Sequence, residues 1–535
     1  MANKPSRGDR SRATQIAIGI AALLGVGALV AGVVTATGGD DRAVDERAVD
    51  NPTDADGSAG ASVANGQPEP ASPTTSTEGS PARATTIEEL QAQWTEARAT
   101  VVKSLSAQGY GLGADNIVRG PGGFEVDLSR CPADWSNTQG LTDNTITIGH
   151  TTALTGTLAA SGRVTAGMQA YFDDINSRGG IGGRQLEMVV KDDQFVAANA
   201  IQALGELMAV DQPFLITTLG SPSTLAVYNQ LNDACVPQPF VITSHPAWGD
   251  PVNHPWTTGL QLSPSTEAVL WGNWIQVNLA DSLPVKVGAL VMDNEFGLLY
   301  EQSFQAWASA NPDVVSEFQP VRHQATAPSV AAEMATIAGA QPDVYLSMTA
   351  GRPCLQAIQE AATSGLTTTA QALFTPSGCR DPATFLAPAG SAANGWRIVG
   401  GGVKSTTDPQ WADDPFVAFV NTTLSADGLD TADSLFGSGF GLFGWAQVEA
   451  LRIAAELPGG LTRANLLLAL HSLDLQHPLL LDGIGFAASG NDDSYYIEGS
   501  DILAYDAATR SWRQDGPILD RNGSTPACAW ANGSC

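Results

Sequence analysis

The stretch between residues 145 and 244 decides the fold, because short apolar segments alternate there with helical ones. The strand-like segments are TITIGHT (145–151), RQLEMVVKDD (184–193), PFLITTLG (213–220) and PFVITS (239–244). Helical patterns separate them, and residues 163–177 place Val164, Met168 and Phe172 on one face. Strands that alternate with helices pair in parallel through right-handed crossovers, and apolar strands indicate a sheet covered on both faces. The stretch therefore predicts a doubly wound α/β lobe.

The same alternation restarts after a helical segment at residues 265–279 and predicts a second, similar lobe. Its strand-like segments are KVGALVMD (286–293), EFQPVRHQ (317–324), DVYLSMTA (343–350) and QALFTPSG (371–378). A mainly helical region follows at residues 412–475. No motif recurs at the periods typical of a solenoid or a propeller. The expected fold class is α/β, with two doubly wound, Rossmann-like lobes.

Composition and charge limit the possible functions. The chain has 535 residues, of which 43% are hydrophobic and 15% are charged, so most of it can bury a core. Acidic residues outnumber basic ones 55 to 26, which gives a formal charge of -29. A nucleic-acid-binding protein needs a positively charged surface, so no nucleic-acid partner is expected.

An uncharged segment near the N-terminus predicts a membrane anchor. Residues 1–15 carry four basic side chains against Asp9, and residues 16–37 (IAIGIAALLGVGALVAGVVTAT) carry no charge. A helix of this length spans about 30 Å of hydrocarbon, and the basic flank keeps the first residues in the cytoplasm and the bulk of the chain outside. A cleaved signal peptide is the alternative, since TAT at 35–37 resembles a small-residue cleavage site.

Two segments separate this anchor from the lobes. Residues 38–85 are rich in Gly, Ser, Thr, Pro, Ala and Asp, a composition that predicts a disordered linker. Residues 86–140 begin with a helical pattern at 86–107, in which Thr86 and Glu89 have the spacing of a capping box. This helix forms either a stalk or a part of the main body.

The six cysteines predict disulfides in an oxidising compartment. None forms a C-x-x-C pair and the six histidines lack metal-ligand spacing, so no metal or other cofactor is expected. Cys354 begins a helix and Cys379 follows the next strand, which favours this pair. Cys528 with Cys535 is a second candidate, and the remaining pair is then Cys131 with Cys235.

The sequence shows no catalytic or phosphate-binding motif. GGIGGR (179–184) follows a helix and precedes a strand, the reverse of the order in a dinucleotide site. GSPST (220–224) lacks the pattern of a nucleophilic serine, and His245 beside Ser244 does not by itself make a general base.

Three hydroxyl-rich loops instead follow strands, at 154–162, 219–224 and 243–248. Ligands of open α/β sheets bind at the carboxyl ends of strands, where helix N-termini and hydroxyls favour a polar or anionic ligand.

The order of these and further motifs resembles that of one protein family. The motifs are T-I-G-x-T-x-x-L-T-G (147–156), D-x-I-N-S-R-G-G-I-G-G-R ending at Arg184, V-x-K-D-D ending at Asp193, GSPST, C-V-P-Q-P-F (235–240), H-P-A-W-G-D-P (245–251), D-N-E-F-G (293–297) and N-G-W (394–396). Over about residues 141–490 the chain resembles the branched-chain amino acid-type (leucine/isoleucine/valine-binding-like) solute-binding proteins of ABC importers. The resemblance implies a periplasmic binding protein-like type I fold, in which three crossover strands join two lobes around a ligand cleft. The implied lobes are 141–264 plus 400–480 (lobe 1) and 265–399 plus 481–535 (lobe 2).

The resemblance also implies a set of ligand-binding residues. In lobe 1, Ser221 takes the place of the serine that holds the ligand carboxylate. The other implied contacts are Ser161, Ser223, Thr224, Ser244, His245, Phe296, Thr349 or Ala350, Ser377, and Phe443 or Trp445. Two positions depart from the family pattern, since Ser161 replaces an aromatic residue and Ser377 replaces an acid. Without that acid an α-ammonium group lacks a charge-assisted contact, unless Asp381 supplies it.

Together these features predict a non-enzymatic receptor that captures a small polar or carboxylate-bearing solute outside the membrane. The solute is either an amino acid or an amide or urea-like compound. The expected partners are this ligand and the permease subunits of an ABC importer, with the membrane reached through the N-terminal helix. A membrane-tethered sensor of the same fold is the alternative, although residues 1–15 hold no signalling domain.

Overall fold

The computed structural model describes residues 84–523 together with residues 525 and 528. The predicted cytoplasmic segment (1–15), the apolar stretch (16–37) and all but the last two residues of the linker (38–85) lie outside the described residues. Within the described ranges, no helix is both long enough and apolar enough to cross a membrane.

The described chain begins with one helix and a small sheet. Helix α1 (Ile87–Ala107) starts after Thr86, whose Oγ1 accepts a hydrogen bond from the backbone N–H of Glu89 at 3.2 Å. This is the contact that the capping-box spacing predicts. Three short antiparallel strands follow, namely β1 (Gly111–Leu112), β2 (Ile117–Arg119) and β3 (Glu125–Asp127).

Helix α1 packs on the main body instead of standing away from it as a stalk. The ring of Trp94 meets the rings of Phe416 and Trp445 edge to face, with centroid distances of 5.6 and 5.5 Å. One helical turn later, Arg98 forms a buried ion pair with Glu449 at 2.6 Å. Both contacts join α1 to helices more than 300 residues later in the sequence.

Lobe 1 is built around a parallel sheet. Its strands are β4 (Thr145–Thr152), β5 (Gln185–Asp192), β6 (Leu215–Thr218), β7 (Gln238–Val241) and β8 (Thr257–Gly259). Strand β4 lies between β5 and β6, a bridge from Leu219 to Ile242 continues the sheet to β7, and β7 pairs with β8. The helices between the strands are α2 (Gly162–Ser177), α3 (Ala197–Glu206) and α4 (Ser221–Asp233). This is the alternation that the sequence predicts for the lobe.

Lobe 2 repeats the alternation. Its first elements are α5 (Pro264–Asn278), β9 (Val285–Met292), α6 (Glu295–Ala310), β10 (Val315–His323), α7 (Ala331–Gly339), β11 (Val344–Met348), α8 (Arg352–Thr363), α9 (Leu366–Thr369), β12 (Ala372–Thr375) and β13 (Arg397–Val399). The five strands pair in parallel in the order β10-β9-β11-β12-β13.

After β13 the chain returns to lobe 1. The returning elements are α10 (Pro415–Ala426), α11 (Ser434–Ser438), α12 (Trp445–Glu456), α13 (Arg463–Leu470), β14 (Asp474–Leu475) and β15 (Phe486–Ala487). Helix α11 approaches α2 so closely that a Cβ on Gly167 would lie 2.0 Å from the carbonyl oxygen of Phe436. The phenol of Tyr495 donates a hydrogen bond to the carbonyl of Pro246 at 2.8 Å, so this part of the chain still packs on lobe 1, beyond the implied boundary at residue 480.

Two final strands complete the sheet of lobe 2. Strands β16 (Ile502–Asp506) and β17 (Ser511–Gln514) add to β13 in antiparallel fashion. The described chain thus crosses between the lobes three times, after β8, after β13 and before β16. The last two crossings are hydrogen-bonded to each other, since the backbone N–H of Gly400 donates to the carbonyl of Asp501 at 2.8 Å.

Two disulfides have both of their cysteines among the described residues. Cys354 and Cys379 are bonded, with a Cα–Cα distance of 5.9 Å, which confirms the favoured pair. Cys131 and Cys235 are also bonded, with a Cα–Cα distance of 5.6 Å, and they connect the segment after β3 to the end of α4. Cys528 is disulfide-bonded as well, but Cys535 lies outside the described residues, so its predicted pairing with Cys528 stays a prediction.

Candidate ligand-binding cleft

A cavity of about 200 Å³ lies between the two lobes, beside the crossing segments. Lobe 1 contributes the loop after β4, the ring of Phe195 and the ends of β6 and β7. Lobe 2 contributes the start of α6, the loop after β11 and the loop after β12, and Gly400 and Gly401 line the cavity from the second crossing. The cavity thus lies at the carboxyl ends of the parallel strands, where open α/β sheets bind ligands.

The cavity wall contains half of the predicted ligand-binding residues. Those that line it are Ser161, Ser244, Phe296, Ser377 and Phe443, and the alternative Ala350 lines it too. Those that do not line it are Ser221, Ser223, Thr224, His245 and Thr349, together with the alternative Trp445. All of this second group are buried elsewhere in the two lobes.

The hydroxyls at the start of α4 face the interior of lobe 1. Ser221 Oγ is hydrogen-bonded to Thr243 Oγ1 at 2.7 Å, and Thr224 Oγ1 to Thr218 Oγ1 at 2.8 Å. Gly220, with φ +91°, turns the chain immediately before the helix, and a Cβ there would lie 2.4 Å from the ring of Phe195. The ligand-facing wall at this point is therefore the backbone of Gly220 and the Phe195 ring.

Two further predicted residues serve local structure. His245 caps the short 3₁₀ turn Pro246–Gly249, because its Nδ1 accepts the backbone N–H of Ala247 at 3.1 Å. Thr349 Oγ1 is hydrogen-bonded to His323 Nε2 at 2.9 Å, beside the end of β11. Both interactions hold loops that border the cleft.

A buried acid that the sequence analysis missed lies behind Ser377. Glu267 accepts hydrogen bonds from Ser377 Oγ at 2.5 Å and from the phenol of Tyr300 at 2.7 Å, both at Oε1. Burial raises the pKa of Glu267 to about 7, although the hydrogen bonds from Ser377 and Tyr300 oppose that rise. An acid is thus present near Ser377, where the resemblance implies one, but it is fully buried and does not line the cavity. Glu267 is the one charged residue of α5, and this was the available signal.

Glu267→Gln is expected to change how stability depends on pH. The folded protein favours the protonated form of Glu267, so the wild-type chain loses stability as the pH rises from the usual carboxyl range near 4.5 to about 7. The glutamine variant should lack this loss, which amounts to about 3 kcal/mol by pH 8. Urea denaturation at pH 5 and pH 8 measures the free energy of unfolding of both proteins, and the exposed Glu187→Gln is the control. Equal pH dependence in the wild type and in Glu267→Gln would contradict the assignment.

The two charged residues of the cavity wall are Arg380 and Asp381. Asp381 is buried, and its Oδ1 accepts the backbone N–H of Ser434 at 3.0 Å and also the Ser434 hydroxyl. Its Oδ2 accepts the backbone N–H of Thr384 at 2.5 Å. Since Ser434 begins α11 of lobe 1, Asp381 joins the two lobes. Its hydrogen bonds therefore serve lobe closure and not a ligand ammonium group.

A second bridge crosses the cleft nearby. Arg163 of α2 forms an ion pair with Asp433 at 2.5 Å and donates a hydrogen bond to Thr384 Oγ1 of lobe 2 at 3.2 Å. Thr157 also donates to the carbonyl of Ala325 in lobe 2 at 3.3 Å. The lobes are thus in direct contact across the cleft.

Two α/β lobes that close on a cavity, with three chain crossings between them, define a two-lobed solute-binding protein. The family model described as periplasmic binding protein matches residues 145–492, and the chain belongs to this family, as the order of motifs predicts. No curated protein matches the chain. The family is one of binding proteins and not of enzymes.

Solved structures share the fold at low sequence identity. The fatty acid ABC transporter substrate-binding protein from Thermomonospora curvata is 19% identical, with a TM-score of 0.62 over 79% of this chain and 100% of that one. A branched-chain amino acid ABC transporter protein from Thermus thermophilus with bound valine is 17% identical, with a TM-score of 0.62 over 71% and 97%. A solute-binding protein from Rhodopseudomonas palustris BisB5 in complex with 3,4-dihydroxybenzoic acid is 18% identical, with a TM-score of 0.58 over 71% and 98%.

Proposed function

We propose that this protein captures a small polar or carboxylate-bearing solute in its cleft and delivers it to the permease subunits of an ABC importer. The observation that carries the proposal is the cavity itself, because both lobes and a crossing segment line it. A ligand in that position contacts both lobes only when they are closed, so it stabilises the closed form over the open one. The similar structures bind chemically different solutes, which is why the ligand has to be argued from this cleft.

Within this proposal, the cleft hydroxyls orient the solute and two aromatic rings enclose it. Ser161 and Ser244 face the ligand from lobe 1, Ser377 faces it from lobe 2, and Phe296 and Phe443 form apolar walls. The buried hydroxyls of the first α4 turn support the wall from behind. Residues Ser221, Ser223, Thr224, His245 and Thr349 thus have a supporting role.

A thermal-shift screen of the full-length chain against amino acids, carboxylates, amides and sugars tests the proposal. At least one solute should raise the melting temperature, because a ligand that binds only the folded state stabilises it. Ser244→Ala should then weaken binding of that solute by about 1–3 kcal/mol, whereas the exposed Thr336→Ala on α7 should not. A screen without any shift, or undiminished binding by Ser244→Ala, would count against the cleft as the binding site.

We further propose that residues 16–37 hold the protein at the membrane, with the lobes outside the cytoplasm. Membership in the family implies an extracytoplasmic location, and the two described disulfides suit an oxidising compartment. Fractionation of cells that express the full-length chain or a chain without residues 1–38 tests the anchor. Recovery of the full-length product in the soluble fraction without its N-terminal residues would show cleavage instead.

A further inference from the structure

The cavity wall includes Arg380, whose guanidinium has only neutral hydrogen-bond partners among the residues that the structure describes. It donates a hydrogen bond to the carbonyl of Gly400 at 2.6 Å and another to the carbonyl of Val403. Within the described part of the chain it forms no ion pair with a carboxylate. Five N–H groups surround a guanidinium, so donors remain for a third partner.

In the part of the chain that the structure describes, no carboxylate lies within ion-pair distance of Arg380. Burial lowers the pKa of Arg380, and the charges of Asp501 and Asp408 act against this from a greater distance. An anion in the cavity would supply the missing close partner, and a carboxylate suits the planar arrangement of the guanidinium donors.

No carboxylate of the described cavity wall is free to receive a ligand ammonium group. Asp381 already accepts three hydrogen bonds, from Thr384 and Ser434. Glu267 is fully buried behind Ser377, whose own hydroxyl donates to it. The charge available to a ligand in this cleft is therefore positive.

The rest of the wall is mainly apolar. Phe195 and Leu219 line the cavity from lobe 1, Phe296 and Phe385 line it from lobe 2, and Phe443 lies on the returning segment. The volume of about 200 Å³ lies below the range of drug-sized sites, roughly 300–1,000 Å³, and so fits a small molecule.

We infer that the ligand is a small monocarboxylate with an apolar body and no ammonium group, and that its carboxylate binds Arg380. This inference rests on the proposed function, since it specifies the solute of the same cleft. Arg380 pairs with the carboxylate of the ligand, and the aromatic and aliphatic side chains of the wall bury its apolar body.

Matched ligands test the inference on the full-length chain by calorimetry. The probes are 4-methylpentanoate, its amide and leucine, and likewise 3-phenylpropanoate, its amide and phenylalanine. In at least one set the acid should bind about 10- to 150-fold more tightly than both the amide and the amino acid, the factor expected for one charge-assisted contact. Arg380→Gln should remove the preference for the acid over the amide. Arg380→Lys should keep part of it, and the exposed Arg352→Gln should keep all of it.

The outcomes separate the inference from the proposed function. Tighter binding of an amino acid than of its deaminated acid, or equal binding of acid and amide, overturns the inference and leaves the receptor function intact. Binding of none of the six probes also overturns it, and the wide thermal-shift screen then decides the receptor function separately. If Arg380→Gln still prefers the acid over the amide as strongly as the parent does, the carboxylate does not bind Arg380, and the inference is overturned. Should Arg380→Gln fail to fold, the probe comparison on the parent chain still decides.

Discussion

Replacement of Cys131 and Cys235 by serine is expected to lower the free energy of unfolding by about 4–5 kcal/mol. The disulfide closes a loop with a sequence separation of 104 residues, and the loss of unfolded-state entropy on cross-linking grows with loop length. The same bond holds the segment after β3 against lobe 1, where the indole N–H of Trp135 also donates to the carbonyl of Cys235 at 2.8 Å. The double variant should therefore loosen the N-terminal segment from the body as well as destabilise the fold.

The second disulfide provides a matched control within the same chain. Cys354 and Cys379 are separated by only 25 residues, so the corresponding double serine variant should lose about 3–4 kcal/mol. Urea denaturation followed by tryptophan fluorescence compares the two variants with the parent. A larger loss for the 354–379 variant than for the 131–235 variant would reverse the order that loop length predicts.

The sequence predicts the elements of both lobes because their signals are local. Each strand is a short apolar run that turn residues bound, and each helix shows apolar side chains at helical spacing. The start of α1 is equally local, since Thr86 and Glu89 are three residues apart and their contact is formed inside one turn. The Cys354–Cys379 pair also follows from one α/β unit.

The candidate site is harder to predict, because small rotations decide which side chain faces the cleft. Ser221 begins α4 at the expected place, yet its hydroxyl bonds to Thr243 inside lobe 1, and Gly220 forms the wall. Ser377 does line the cavity, but the acid that bonds to it comes from Glu267, which is 110 residues earlier. Arg380 directly follows the disulfide-bonded Cys379 and lies two residues before Pro382, and no periodicity or motif distinguishes it. The position of its guanidinium depends on hydrogen bonds to the carbonyls of Gly400 and Val403, which belong to the second crossing.

The position of α1 could not be predicted for a similar reason. The helix itself is evident from its pattern, but its partners are Phe416, Trp445 and Glu449, which follow in a distant helical region. An arginine in the middle of a helix ordinarily lies in solvent. The burial of Arg98 becomes understandable only when the acids on α12 are known.

Arg98→Met is expected to destabilise the protein by about 3–5 kcal/mol, because it leaves a buried carboxylate without its main partner. The side chain of Arg98 is 7% exposed and that of Glu449 is 0% exposed, and their nearest atoms are 2.6 Å apart. Arg98 also donates to Glu456 at 3.1 Å and to Thr95 Oγ1 at 3.1 Å. Methionine retains much of the aliphatic volume, so the loss should reflect charge more than packing.

Two control variants identify the source of that loss. Arg452 bonds to the other oxygen of Glu449 at 2.9 Å but is 26% exposed, so Arg452→Met should cost much less, about 1 kcal/mol. The double variant Arg98→Met, Glu449→Met removes both charges, and it should recover much of the stability lost in Arg98→Met, since an apolar pair often replaces a buried ion pair at little cost. Urea denaturation of the full-length chain measures these three variants together with the single variant Glu449→Met, which completes the cycle. If the double variant is as unstable as the sum of its two single variants, the ion pair does not hold α1 on lobe 1, and the docking of the helix depends instead on the edge-to-face contacts of Trp94.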